Sequence, residues 1–262
     1  MTALADAVAA EWLKLRSVRS TYHLVAVIVA VAVAGEVVTW YGVHLWDHQG
    51  AARRATVLVT PAEQLTGQIA QLILGVLGAL AITAEYATGM IRTSLTAVPR
   101  RPALLAAKGA VLATAGLAAG GVSVTASFLV SRMIVGRRPM RFYTAPLTHE
   151  IPVLLALTAT TAVAALVGLG LGTIVRSSAG AITALAGLWY VLPAFTHLLP
   201  GSWSGWLDSV MLVVLPQELA GQPLGYGGPR PLLSPPGAAV VLLAYAAAAL
   251  TAAAVAIERR DA

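Results

Sequence analysis

Few side chains in this sequence are equipped for chemistry, and they gather in two places. The stretch TAEYATGMIRTSL, residues 83–95, sets Glu85 and Tyr86 ahead of Gly89 and Arg92. If the chain stays helical through it, Glu85, Gly89 and Arg92 share one face at i, i+4 and i+7. The acid and the base are then about two turns apart, too far to pair with each other. Each is then on display, free to meet a separate partner, with Gly89 as a point of bending or close approach; a tight helix hairpin whose charges only anchor it fits the residues equally well. The second place is Glu36, the one carboxyl in the apolar run 23–41. A carboxylate in hydrocarbon is costly and marks a bundle interior, a substrate route or a proton route. Just ahead of Trp40-Tyr41, it fits an interfacial carboxyl with a neighbouring arginine equally well.

Enzymatic constellations are missing. HEXXH, GxxxxGK[ST] and GxSxG do not occur, so no catalytic residue, metal or resident cofactor is expected, and the chain should not hydrolyse nucleotide alone. His44, Asp47 and His48 make a weak metal cluster at most, and a polar interfacial loop beside Trp40 and Trp46 accounts for them better. His149-Glu150 has the chemistry of a proton site, though an ordinary interfacial pair explains it as well. Gly168-Leu169-Gly170 looks like part of a dinucleotide fingerprint, but no strand precedes it. The chain has no cysteine, which excludes disulfides, thiolate metal sites and cysteine nucleophiles.

The elements that must hold these residues are membrane helices. The 262 residues are 58% hydrophobic and 11% charged, where soluble domains carry roughly a quarter charged residues. Mean hydropathy is +0.80, so lipid must solvate much of the surface. The net charge of +6 lies beside apolar runs, without the interleaved aromatics of a nucleic-acid stripe, and no nucleic-acid partner is expected. Asp6 and Glu11 in MTALADAVAAEWLKLRS argue against a cleaved secretion signal.

The reading is an all-α integral membrane protein, one transmembrane domain over residues 1–262. Spans are expected at about 23–41, 65–84, 103–130, 151–175, 179–199 and 237–257, each near the roughly 20 apolar residues a crossing needs. Residues 85–102 form a tight turn with a break at Val98-Pro99 and Arg101-Pro102, and 176–178 form another. Residues 200–236 make a longer loop whose apolar stretch is too short to span and lies at or dips into the interface. In residues 2–22, Leu4, Val8, Trp12 and Leu15 stripe one face of an amphipathic interfacial helix. Gly168, Gly170 and Gly172 favour close helix packing, within a bundle or across a dimer face.

Placing both termini in the cytoplasm puts ten lysines and arginines inside and seven outside. Four of the seven, Arg132, Arg137, Arg138 and Arg141, form an outside cluster with no evident reason. A re-entrant turn at residues 116–121 would move that cluster inside, but would expose Arg176, Arg259 and Arg260.

EYATGMIRTSL followed by PRRPALLAAKG resembles the Glu-Tyr-x-x-Gly-x-x-Arg turn of type 2 ABC exporter permeases. EWLKLRSVRSTY resembles the N-terminal helix of bacterial members, and GTIVRSSAGAI their link between spans four and five. The resemblance implies a permease subunit in the plasma membrane, working as a homo- or heterodimer beside a separate ATP-binding subunit that carries ATP and Mg2+. It also implies that the turn is a coupling helix on that subunit, with Glu85, Tyr86, Gly89 and Arg92 matching its pattern. Lys108 matches the basic residue entering span three. The rival readings are a proton-coupled secondary transporter using Glu36 and His149, against which no internal repeat is found, and a non-transporting membrane scaffold.

Overall fold

A backbone in hydrocarbon has no water to satisfy its N–H and C=O groups, so each long apolar run must close its hydrogen bonds internally as a helix. A computed structural model describes residues 2–54, 56–97, 101–196, 198, 202–224 and 231–260. The described residues are helices and the turns between them. After α1 (Thr2–Ser17) come α2 (Arg19–His48), the single turn α3 (Ala51–Arg54), α4 (Ala62–Thr88), α5 (Met90–Ala97), α6 (Arg101–Val135), α7 (Leu147–Val175) and α8 (Ser178–Ala186). A π-helical turn, Gly187–Val191, leads into α9 (Leu192–Thr196), followed by α10 (Ser202–Val210), α11 (Leu215–Ala220) and α12 (Pro235–Arg260). Six of these stretches are long and apolar enough to cross a membrane: α2, α4, α6, α7, α8 through α9, and α12.

Helices cover all six expected spans, and all but the fifth run further at their ends than hydropathy indicates. The first is the clearest case. Trp40, His44 and His48 recur every four residues along one face, Trp40 stacked on His44 at 5.9 Å between centroids and His44 tilted against His48 at 4.1 Å. Those polar rings continue α2 to His48 instead of ending it at residue 41. The N-terminal helix, by contrast, stops at Ser17 and not at 22. Val18 is extended at φ −89° and ψ 125°, and Thr21 and Tyr22 already belong to α2. The π turn has a covalent cause: Pro193 has no N–H for the carbonyl four residues back, and the Leu192 N–H reaches the Gly187 carbonyl five back. The expected break at Val98-Pro99 and Arg100, and the last residues of the fifth span, lie outside the described residues.

The bundle is organised around α7, the most deeply buried span, which packs against α4, α6, α11 and α12. Its glycines make this possible. A Cβ on Gly168 would stand 1.8 Å from the Gly75 carbonyl oxygen of α4, so the two backbones touch. Gly170 meets Ala249 of α12 in the same way, and Gly172 meets Ala79 of α4. These small residues are therefore spent inside the chain and do not form an outer dimer face. Residues 116–121 hold no re-entrant turn either. α6 runs unbroken through them because Gly116 and Gly120 press directly on Ala162 and Thr161 of α7. The apolar stretch after α10 packs on the protein itself: Met211, Leu212 and Leu215 are buried against the bundle. The Glu218 carboxylate accepts the Leu233 N–H at 2.7 Å and ties the loop down.

α2 and α12 are the least covered spans and show rows of valine and leucine outward, as a surface facing acyl chains must. α1 packs on α6 at the end of the bundle where α6 begins and α12 finishes. There Arg101 Nη1 donates to the Ile257 and Glu258 carbonyls at 3.2 and 3.3 Å. This is the near end; the opposite one, carrying residues 136–146, is the far end.

Candidate functional site: a buried charge cluster under an exposed turn

The Glu85–Arg92 stretch is not one continuous helix. α4 closes at Thr88, and Gly89 takes the left-handed conformation at φ 73°, its N–H bonded to the Tyr86 carbonyl. A β-carbon is disfavoured there, and glycine is the residue that accepts it. The chain turns and starts α5, so Glu85 and Arg92 sit on different helices and face different ways.

Glu85 is 2% exposed. It accepts from Lys14 Nζ at 3.0 Å and from Lys108 Nζ at 2.9 Å. Glu11 accepts from the same two ammoniums, Lys14 at 2.7 Å and Lys108 at closer range. Lys14 also donates to Ser94 Oγ of α5 at 3.1 Å. Burial works against the Lys14 charge, but hydrogen bonds to Glu11 and then Glu85 outweigh it and raise its pKa above the usual lysine value. Two acids and two bases thus form a ring that joins α1, α4 and α6 and touches α5. Glu85 is therefore turned inward in the single chain and not on display, where its spacing alone put it. Lys108 lies inside an apolar helix, where an unpaired ammonium is costly, and Glu85 supplies one of its two carboxylate partners.

Tyr86 is half-buried, with the Arg176 guanidinium 4.8 Å from its ring centre. Arg176 ends α7 with positive φ, 58°. Beside it the hydroxyls of Thr83 and Ser178 are 2.8 Å apart, tying α4 to the start of α8. Gly89, Met90, Arg92 and Thr93 are exposed. What the near end offers outward is therefore the glycine turn and the Arg92 face of α5, held from below by the charge ring.

Glu36 lies elsewhere. Because α2 continues to His48, it sits 12 residues from that helix end, deeper than the run 23–41 implies. It lines an apolar groove of about 730 Å³ between α2 and α6. Both of its carboxylate oxygens are buried with no hydrogen-bond partner among the described residues, so the expected interfacial pairing with an arginine is not found. Around it is a polar layer from other elements. Glu63 of α4, 1% exposed, accepts from Ser131 Oγ at 3.4 Å. The Tyr143 hydroxyl is pushed up to about 12, first by burial and further by Glu63 and Glu36. Hydropathy reading missed Glu63 because it stands ahead of the apolar run, in a first turn that the sequence leaves outside the span.

The far-end arginines also have partners. Arg132 donates to Glu150 at 2.6 Å and to the Tyr143 carbonyl. Arg138 grips Asp47 through two bonds of 2.8 Å. His48 Nδ1 lies 2.7 Å from the His44 carbonyl oxygen, so the His44, Asp47 and His48 trio is committed to helix and ion-pair contacts. Among the described residues no group of three or more His, Asp or Glu converges in metal-binding fashion.

The comparisons fit this architecture. No curated protein matches the chain. A family model described as "ABC-2 family transporter protein" matches residues 7–193, which takes in most of α1, the charge ring, the Gly89 turn, the first four spans and most of the fifth. The chain is therefore a multi-pass membrane protein with a transport permease role, in a family whose members are the transmembrane subunits and not the ATPases. By that match and by its six-span helical fold, the chain belongs to the ABC-2 family of transporter proteins.

Proposed function

We propose that this permease exports its cargo with energy from a separate ATP-binding subunit, and that the Gly89 turn with α5 is where that subunit docks. The observation that carries the reading is the ring of Glu11, Lys14, Glu85 and Lys108 directly beneath that exposed turn. A docking surface transmits force only if it is stiffly joined to what must move. Here the ring and the Lys14–Ser94 bond join the turn to the near ends of α4 and α6 and to α1. Arg92 is the charged group placed to meet the partner, Gly89 lets its surface approach, and Glu85 and Tyr86 act from below as positioning residues.

In this scheme two permease subunits stand side by side with two ATP-binding subunits. ATP and Mg2+ binding draws the latter together and pushes on both turns. The near end faces the cytoplasm of the cell membrane, with α1 on the inner leaflet. An effector shifts a bundle between two states only by binding them unequally, so the Arg92 contact must differ in strength between them. The test is co-purification of the ATP-binding subunit with wild type and with Arg92→Glu, alongside ATP-driven export in vesicles. The reading expects the partner to be retained by wild type and lost, with export, on charge reversal. Full export by Arg92→Glu, or no ATPase recovered with wild type, refutes it.

A further inference from the structure

We propose that the groove between α2 and α6 binds an amphipathic cation, with Glu36 as its counter-ion. As a route for cargo this rests on the permease reading above; as a binding site it stands on the groove alone. The hollow measures about 730 Å³, within the roughly 300–1,000 Å³ typical of small-molecule sites. Val29 and Val33 wall it on α2, and Val122 and Ala126 on α6, where small side chains leave the space. Trp40 lines it one turn beyond Glu36. Such walls accept an apolar body and offer it no hydrogen bond.

Glu36 is the one ionisable group in that lining; Ser123 and Ser127 also line it, and their hydroxyls are bonded to the Gly120 carbonyl and to Thr66. Both its oxygens are buried without a donor, and an intramembrane carboxylate in this state is costly until something satisfies it. Its own surroundings do not. Its neighbour in this layer is a second carboxyl, Glu63, which brings it no positive charge. The nearby guanidinium, Arg132, is held by Glu150 and the Tyr143 carbonyl. Three carboxyls, Glu36, Glu63 and Glu150, therefore face one arginine in this layer, an arrangement that favours a positive guest and repels a negative one.

A second copy of the chain is a poorer occupant. Within its apolar spans the basic residues are Lys108 and Arg132, and both are already ion-paired. A helix of another copy could cover the groove but would leave Glu36 unanswered. A cation carried on an apolar body answers both the walls and the acid, and Trp40 adds a ring face suited to it.

The experiment measures binding of tetraphenylphosphonium to the purified chain in nanodiscs of uncharged lipid, by equilibrium dialysis against empty discs. Tetraphenylborate, an anion of the same shape, is the control. Saturable phosphonium binding is expected, weakened about tenfold or more by Glu36→Gln, the loss of one charged partner, with no saturable binding of the borate. Ala126→Trp fills the groove from an exposed position and should abolish binding even if Glu36→Gln fails to accumulate, while Leu243→Trp on the outer face of α12 should not. Equal affinity in wild type and Glu36→Gln, no saturable binding, or equal binding of the borate overturns the proposal. So does a change of oligomer size in Ala126→Trp with cation binding intact, which would give the groove to a second copy. Dialysis uses no ATP-binding subunit, so a failure of the export reading, seen at co-purification, leaves this result standing.

Discussion

A buried lysine is tolerable only while its acids are in place, and this sets Glu85 and Arg92 apart. Both belong to the turn, yet one is 2% exposed inside a charge ring and the other faces out. Glu85→Ala leaves Lys14 and Lys108 sharing Glu11 alone and should cost about 3–5 kcal/mol of stability, the usual loss when one member of a buried pair is removed. Arg92→Ala should stay within about 0.5 kcal/mol of wild type. Thermal unfolding of the purified variants checks both, and equal midpoints for Glu85→Ala and wild type would contradict the ring. Replacing the pair together, as Glu85→Gln with Lys108→Met, leaves Glu11 and Lys14 balanced and should recover much of the loss from Lys108→Met alone. The requirement was legible in the sequence, since an ammonium within the run 103–130 must find carboxylates. Which carboxylates was not, because the bonds span 23 and 97 positions and only the packed bundle closes them.

Helix ends and helix contacts follow a different logic from helix existence. Apolar length alone announces six spans, since lipid leaves the backbone no other choice. It says little about where they stop, because α2 runs on through the polar His44 and His48, whose rings meet at a tilt, while Val18 breaks α1 from α2 with no proline or glycine to mark it. Gly89 shows the same ambiguity: a glycine in a helical pattern can be passed through or used as a stop, and the left-handed φ of 73° decides for the stop. Nothing lies within 4 Å of a Cβ built there. Gly89→Ala should therefore cost only the backbone strain, about 1–2 kcal/mol, and Gly89→Asn less, because asparagine visits this region more readily. Gly168→Ala is the opposite case. Its backbone is ordinary helix, but the new methyl would meet the Gly75 carbonyl at 1.8 Å and force α4 from α7. That variant should lose about 3 kcal/mol or fail to accumulate, at the upper end of overpacking costs. Accumulation and melting of the two variants side by side separate strain from collision. Gly168→Ala as stable as wild type would deny the backbone contact.

For the molecule as a whole, the open matter is which end faces the cytoplasm, and the ion pairs bear on it. By residue count the proposed orientation leaves seven lysines and arginines outside, four of them between Arg132 and Arg141, a poor fit to the positive-inside tendency. The fold gives part of the reason. Arg132 is spent on Glu150, bridging α6 and α7, and Arg138 on Asp47, tying the loop after α6 to the end of α2, so they serve as struts and not as free anchors for anionic headgroups. The sequence could not announce this, because Asp47 and Arg138 are 91 positions apart. The near end keeps Arg16, Arg19 and Arg92 exposed beside α1, where a negative inner leaflet would hold them. The chain has no cysteine, so a single introduced thiol reports its own side without background. Arg137→Cys, in the exposed far-end loop, should react with a membrane-impermeant maleimide on intact cells. Arg92→Cys should react only after the membrane is opened. The reverse pattern would turn the bundle over, put α5 out of reach of any cytoplasmic ATP-binding subunit, and remove the proposed coupling route with it.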